Sequence, residues 1–360
     1  MLGGNFASSN MPQMPFLHNR VNRRELKSRA MADGTPRRTL SFYRYLPIAD
    51  PSALRDAWYR DLTAWRVLGR IYLATEGVNA QVSVPESDME AFRAFLQSQP
   101  GFEDMRLNTA VEEKDSSFFL LSVKVKNKIV ADGIADPTFD MSRKGRYVDA
   151  ETFNRLTEDP DTVVLDMRNH YEYEVGHFKE ALEVPSDTFR EQLPMAVEMF
   201  KDRKERNIIM YCTGGIRCEK ASAWMLHNGF TNVFHLEGGI IHYVNRVREE
   251  GLENRFVGKN FVFDERMGER VTEDVIARCH TCGAPFDTHV NCSNAACHLL
   301  FIQCADCASK MQGCCSGECM DSLQLPVERR ETKRHGNGPK RFLKARRRVE
   351  EPDSGPGKTE

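Results

Sequence analysis

The 360-residue sequence predicts a multidomain protein of mixed α/β and α+β class. Three observations predict it: a β-α-β-β-α-β order near the N-terminus, alternating strands and helices in the middle, and a concentration of cysteines near the end. The predicted parts are a disordered basic extension (1–38), a ferredoxin-like domain (39–132), a doubly wound α/β domain (146–250), a Cys-rich, zinc-ribbon-like domain (251–326) and a disordered basic tail (327–360).

The two ends of the chain differ in charge from the rest. Residues 1–38 carry 7 Lys and Arg against 2 Asp and Glu, and residues 327–360 carry 11 against 6, whereas the segment between them carries 32 against 44. Basic tails often bind nucleic acid, although a tail that only keeps the protein soluble has the same charge. The cluster of six basic side chains in 340–348 favours RNA.

No apolar run in the sequence approaches the length that spans a bilayer, and the N-terminus lacks the apolar core of a secretory signal. We therefore expect a cytoplasmic protein without a membrane partner. The hydrophobic content of 41% is enough for several sizeable cores.

The first folded segment combines two amphipathic helices with several strands. The predicted elements are a strand at 40–46, a helix from Pro51, strands at 69–74 and 80–84, a helix from Ser87 and a long strand at 118–130. This order is that of a ferredoxin-like sandwich, a fold shared by many RNA-binding proteins and by many others. The last strand carries Lys124, Lys126 and Lys128 at period two, hence on one face. Lysines in this pattern contact phosphates or guard an edge strand, and the sequence favours neither.

The central segment alternates strands and helices over about a hundred residues. The run 162–166 is typical of a buried parallel strand, which places Asp166 and Arg168 at the carboxyl edge of a sheet. A second strand at 208–211 ends in Cys212, and a helix at 219–227 and a strand at 232–236 follow. This alternation predicts a doubly wound domain.

Cys212 begins a glycine-rich loop, 212–217, that leads into a helix. Backbone N–H groups converge in such a loop, so it favours a thiolate or a persulfide, although many free cysteines are simply buried at strand ends. Cysteine-dependent phosphatases need five residues between nucleophile and arginine. Here four residues separate Cys212 from Arg217, so the loop suits a single sulfur atom better than a phosphate.

Residues 146–250 resemble a rhodanese domain. The resemblance depends on the Asp-Met-Arg strand end, the Glu-x-x-x-Gly-His turn, the cysteine loop and the Leu-x-Gly-Gly-Ile segment at 236–240. It implies that Cys212 carries a persulfide. Thiosulfate-using rhodaneses usually hold more than one cation in this loop, whereas here Arg217 is alone, which disfavours simple cyanide detoxification.

Nine of the 11 cysteines lie within 279–319, and two Cys-x2-Cys pairs among them indicate zinc. Disulfides are less expected because cytosolic chains rarely keep them. The predicted ligands are Cys279, Cys282, Cys304 and Cys307 in one site and Cys292, Cys297, Cys315 and Cys319 in the other, with His280, His289 and His298 as possible substitutes. Cys314 is an alternative to Cys315, and a redox role for this adjacent pair is the competing interpretation.

From Thr39 to about Leu325 the chain resembles the bacterial rhodanese-like tRNA uridine hydroxylases. The matching strings lie at 75–80, 168–172, 212–220 and 313–316, and the cysteine-loop string is the most specific. The resemblance implies formation of 5-hydroxyuridine at wobble position 34 of tRNA, with the anticodon loop as the bound partner and molecular oxygen as co-substrate. The tail lies outside it.

A coherent chemical hypothesis is that Cys212, as a thiolate or a persulfide, adds to C6 of uracil, so that C5 attacks an electrophilic oxygen. Arg217 and the loop amides would stabilise the thiolate, and Asp166 or Arg168 would orient the base. The sequence shows neither a G-x-G-x-x-G after a strand nor a clear two-His-one-carboxylate set, so it predicts no oxygen-activating cofactor and no particular electron donor.

Two other functions remain open. One is a rhodanese-type sulfurtransferase that passes persulfide sulfur to a protein or to tRNA. The other is an RNA-binding module with a vestigial rhodanese domain, which the intact cysteine loop disfavours. A reductant or sulfur-donor protein is a possible partner in either enzymatic case.

Overall fold

The computed structural model describes residues 17, 19, 21–113 and 117–325. The predicted basic tail therefore lies outside the described residues. The expectation of disorder throughout 1–38 is wrong for part of that segment, because α1 (Arg23–Asp33) forms there. Asn22 accepts a hydrogen bond from the Arg24 N–H at its start and Gly34 ends it in the left-handed conformation. The helix has no apolar stripe, so its sequence pattern did not predict it.

The described part of the N-terminal domain contains five strands and two α-helices. They are β1 (Arg37–Tyr45), α2 (Pro51–Ala64), β2 (Leu68–Ala74), β3 (Gly77–Pro85), α3 (Met89–Gln97), β4 (Asn108–Thr109) and β5 (Leu121–Val125). The sheet order β4-β1-β3-β2-β5 contains the antiparallel ferredoxin-like order in its first four strands, with β5 added parallel to β2.

The predicted long strand at 118–130 is wrong in length and in place. The fourth ferredoxin-like strand is the two-residue β4, which is too short to show a pattern, and 118–130 supplies only β5 at the opposite edge. The chain turns away after β5, where the Lys128 ammonium pairs with Asp132 at 2.6 Å and donates to the Ile134 carbonyl.

Alternation along β1 gives the sheet two different faces. Leu40 and Phe42 pack in the domain core with Trp58, below α2 and α3. The intervening residues, such as Ser41 and Tyr43, point to the opposite face, toward Gly214 and Gly215 of the central domain. That polar face lies against the central domain.

The central domain is a parallel sheet with helices on both faces. Its elements are β6 (Arg146–Val148), α4 (Ala150–Leu156), β7 (Val163–Asp166), α5 (His170–Tyr173), β8 (Gly176–Phe178), β9 (Leu182–Glu183), α6 (Phe189–Met199), β10 (Ile208–Tyr211), α7 (Ile216–His227), β11 (Val233–Leu236) and α8 (Gly239–Glu250). The strand order is β6-β11-β10-β7-β9, with one core under α4 and α8 and another under α6 and α7. The doubly wound prediction is confirmed, and the central, wholly buried β10 places Cys212 at the carboxyl edge.

The Cys-rich segment pairs directly with the central domain. Its elements are β12 (Phe256–Asn260), β13 (Glu269–Arg270), β14 (His289–Asn291), β15 (Leu300–Ile302), α9 (Ala305–Lys310) and α10 (Gly317–Leu323). Strand β12 pairs antiparallel with β8, and β14 and β15 form a hairpin. Among the described residues, no helix combines the length and apolar character needed to cross a membrane.

Candidate active site

Two glycine pairs shape the loop after β10. Gly215, with φ of 99°, turns the chain into α7 and donates its N–H to Cys212 Sγ at 3.2 Å. Gly239 also has positive φ, and a Cβ there would lie 2.5 Å from the Cys212 carbonyl oxygen. That close approach lets the Ile240 N–H donate to the same oxygen at 3.0 Å. The Gly238-Gly239 segment after β11 therefore packs against the backbone of the cysteine loop and stabilises its conformation.

The loop stabilises the Cys212 thiolate. Burial alone raises the pKa of this thiol, but a hydrogen bond from the Cys218 thiol, the charge of Arg217 and the N–H groups of Cys218 and Gly215 outweigh it. Together they lower the pKa of Cys212 from 9.0 to about 6. Cys218 shows the converse effect, because burial and the adjacent Cys212 raise its pKa well above the usual value. Cys218 is thus a hydrogen-bond donor to the thiolate, a role that the sequence did not show.

Arg217 is held by a carboxylate from α5. Its Nη1 and Nη2 donate to Glu172 Oε2 and Oε1 at 2.7 and 2.8 Å, and both side chains are buried. Glu172 also accepts the Asn169 N–H at 3.0 Å, at the start of α5. A buried arginine requires such a counter-charge, and this requirement is the signal in the sequence that could have identified Glu172.

The structure contradicts the predicted role of Asp166 and Arg168 as groups that orient the base. Both side chains have no exposed surface, and they pair with each other at 2.7 Å. Arg168 also donates to the Gly176 carbonyl at 2.6 Å and its own carbonyl accepts from Gln192. Neither side chain lines the cavity, and Arg168 is instead held by the Gly176 carbonyl of β8 and by Gln192 of α6. Their observed role is to fix the strand end beside the cysteine loop.

Cys212 lies on the wall of a cavity of about 720 Å³ between the three domains. The opposite wall is the polar face of the N-terminal sheet, with contributions from Ser41, Tyr43, Arg70, Tyr72, Asn79 and Gln81. Arg70 Nε and Nη2 are buried there without a hydrogen-bond partner, as is Ser41 Oγ. The cavity thus joins the stabilised Cys212 thiolate to a cation and several unpaired polar groups. The sequence pattern identified the cysteine but not the cation or the other polar groups.

The helix after the cysteine loop anchors the N-terminal domain. Lys220, 2% exposed, pairs with Glu76 at 2.5 Å and with Asp132 at 2.9 Å. The Tyr45 hydroxyl donates to the Ile216 carbonyl at 3.2 Å. Glu76 lies in the turn between β2 and β3, so this turn, which contains one of the matching sequence strings, holds the polar sheet face over Cys212.

The eight predicted metal-binding cysteines form two groups of four. The first contains Cys279, Cys282, Cys304 and Cys307, and the second contains Cys292, Cys297, Cys315 and Cys319; within each, the sulfur atoms lie within 4.8 Å of one another. Cys314 is buried outside the second group.

The donor set suits zinc. Sγ atoms are separated by 3.7 Å for Cys282–Cys304 and 3.8 Å for Cys315–Cys319, and a tetrahedral zinc with bonds of about 2.3 Å separates its thiolates by about 3.8 Å. Two of the possible histidine substitutes are otherwise engaged, because His280 and His289 contact Glu174 of the central domain at 2.9 and 3.3 Å.

Three family models cover most of the described chain. Residues 37–129 match the UPF0176 acylphosphatase like domain, residues 149–245 the Rhodanese-like domain and residues 257–320 the Rhodanase C-terminal model. The fold and the site therefore define a rhodanese-domain protein whose thiolate loop is covered by an acylphosphatase-like sheet.

Relatives over nearly the full length define the family. Proteins named tRNA uridine(34) hydroxylase are 59% identical in Cronobacter sakazakii (93% of this chain and 97% of the relative), 58% in Pectobacterium carotovorum (92% and 95%) and 56% in Photorhabdus laumondii (94% and 97%). This chain belongs to the tRNA uridine(34) hydroxylase family.

Proposed function

We propose that this protein hydroxylates uridine 34 of tRNA to 5-hydroxyuridine and that Cys212 is its catalytic thiol. The observation that carries the proposal is the stabilised Cys212 thiolate in the wall of a cavity large enough for a nucleotide. The proposed substrate, uridine 34 of tRNA, is inferred from the names of the relatives that match nearly the full length of the chain. An anticodon loop suits the site, since its bases can be splayed outward without opening a duplex. A tRNA substrate also implies that the protein acts in the cytoplasm.

In the proposed reaction, the Cys212 sulfur, as a thiolate or a persulfide, forms a bond to C6 of uracil, and C5 becomes enolate-like. Negative charge then develops on the conjugated carbonyl oxygen. Arg70 lines the cavity and leaves its Nε and Nη2 without a hydrogen bond, so we assign it as a donor toward that charge, in place of Asp166 and Arg168 in the role of orienting the base. Arg217 and the loop N–H groups favour the anionic sulfur before addition and after release.

Molecular oxygen is the proposed oxidant. Insertion of one oxygen atom at C5 leaves the other as water and therefore consumes two electrons and two protons from a donor. The described residues identify no donor, so we propose a separate reductant as partner. Zinc in the two four-cysteine groups would be structural, because four thiolates fill a tetrahedral site without an open position.

Nucleoside mass spectrometry of tRNA from a strain lacking the gene tests this function. Loss of 5-hydroxyuridine and its derivatives is the expected result. Loss of a thiolated base instead would establish the sulfurtransferase, which the hydrogen bond from Gly215 N–H to Sγ also suits. An unchanged nucleoside profile would contradict both enzymatic functions.

A further inference from the structure

A buried carboxylate in the Cys212 cavity, that of Asp187, has no hydrogen-bond partner. Asp187 lies between β9 and α6, its side chain lines the cavity, and the residue is 7% exposed. Neither of its carboxylate oxygens makes a hydrogen bond. Of the other three carboxylates on the wall, Asp264 and Glu269 both accept from Arg266, and Glu191 is only partly buried. A buried carboxylate without a partner is costly to keep, which indicates that a ligand uses it.

Hydroxylation through a C6 adduct creates a need for a base. Once oxygen has been inserted, C5 carries both a hydroxyl group and its original hydrogen, and C6 is still bonded to the Cys212 sulfur. The product forms only when the C5 proton leaves. Cys212 is occupied by the covalent bond, and Arg70 and Arg217 are cations that cannot accept a proton at neutral pH.

We propose that Asp187 is the catalytic base that removes the C5 proton and releases the product from Cys212. This assignment rests on the proposed function. The C5–H bond breaks and its proton passes to a carboxylate oxygen of Asp187. The electron pair forms the C5=C6 double bond, the C6–S bond breaks, and its electrons return to the Cys212 thiolate. The step is redox-neutral and needs no further reactant.

The surroundings of Asp187 suit a base. Burial is the main cause that raises the pKa of Asp187 to about 6. The nearby carboxylates of Glu191 on α6 and Glu183 on β9 raise this pKa further, whereas His170 on α5 lowers it. Asp187 is therefore ionised at pH 7 and a stronger base than an ordinary aspartate.

Tritium release measures this step directly. The substrate is tRNA labelled with [5-³H]uridine, added with purified full-length protein to an extract of the deletion strain, which supplies the reductant. We expect D187N to release tritium at least about 100-fold more slowly than the unmodified protein and to accumulate a protein–tRNA adduct that survives denaturation. D187E should recover part of the rate. E198Q makes the same change on the exposed surface of α6 and should release tritium normally.

The outcomes separate the two proposals. If D187N forms product and releases tritium like the unmodified protein, Asp187 is not the base, although the hydroxylase function stands. Folded D187N that loses activity without any adduct would place Asp187 before the elimination step and also overturn the assignment. If the unmodified protein forms no 5-hydroxyuridine, the proposed function fails and this assignment fails with it.

Discussion

Arg217 and Glu172 form a buried two-point ion pair, with N–O distances of 2.7 and 2.8 Å, that joins the cysteine loop to α5. The pair fixes the only arginine of the loop next to Cys212. The Arg217 guanidinium also lies 5.9 Å from the ring centroid of Phe263, in the Cys-rich segment. The loop is thus held in position by residues from two domains.

E172Q should be strongly destabilising, because it leaves the buried Arg217 charge without its carboxylate. We expect the free energy of unfolding to fall by about 3–5 kcal/mol, measured by urea denaturation. The double variant E172M/R217M removes both charges and should lose much less. Equal stability of E172Q and the unmodified protein would show that this pair does not hold the loop.

C218A should raise the pKa of Cys212, because it removes a hydrogen bond to the thiolate. A hydrogen bond to a charged group is worth about 1.5–3 kcal/mol, so an increase of at least about one pKa unit is expected. The thiolate fraction grows as pH rises through the pKa. Alkylation of Cys212 should therefore have its midpoint near pH 6 in the unmodified protein and at higher pH in C218A.

Peptide-resolved mass spectrometry after brief iodoacetamide treatment gives these midpoints, and C218S serves as the matched control because serine keeps a donor. Identical profiles for C218A and the unmodified protein would contradict the assigned hydrogen bond. We expect C218A to keep most of its modification activity. Complete loss in C218A would instead support a disulfide between the two cysteines during turnover.

We predict that Lys124 and Lys126 contact the phosphates of tRNA. Lys124 is paired in register with Tyr72, which lines the cavity, and the Lys126 ammonium lies 5.5 Å from the Tyr72 ring centroid. Replacing both by alanine should weaken tRNA binding and lower the salt dependence by about one unit of slope for each lysine. K201A, in a surface ion pair with Glu198, is the control. Aggregation with unchanged tRNA affinity would favour the edge-guarding role instead.

Purified protein should contain two zinc ions per chain, measured by elemental analysis. C315A should lose one of them, whereas C314A, outside the four-cysteine groups, should keep both. C282A should lower the melting temperature and solubility more than the activity per folded molecule, since the sites are structural. A metal-free preparation that stays folded and active would contradict this role.

The sequence predicted what depends on local pattern and missed what depends on contacts between domains. Cys212, its loop and the two four-cysteine groups follow from motifs of fixed spacing, and the structure brings those residues together as expected. Arg70 reaches the cavity because Lys220 and Glu76 hold the polar sheet face over the loop, and Asp187 faces that sheet from the central domain. The hydrophobic periodicity of the sequence does not show which surfaces of two domains contact each other.

The strand ends show the same limit. The pattern correctly placed Asp166 and Arg168 at the carboxyl edge of the sheet, but it could not show that their mutual ion pair buries both side chains. The sequence did not predict β4, because a strand of two residues shows no alternation. It predicted instead that the lysine-bearing segment forms the fourth ferredoxin-like strand, whereas that segment lies at the other edge of the sheet.

We propose that the Cys212 sulfur performs the modification. The most direct test of this claim is 5-hydroxyuridine at position 34 of tRNA purified from a deletion strain that expresses either the unmodified protein or C212A. Melting curves would confirm that the variant is folded, as expected for a small side chain at the mouth of a loop. We predict full restoration by the unmodified protein and none by C212A. Full modification in the C212A strain would contradict the catalytic assignment and leave the rhodanese domain as a scaffold only.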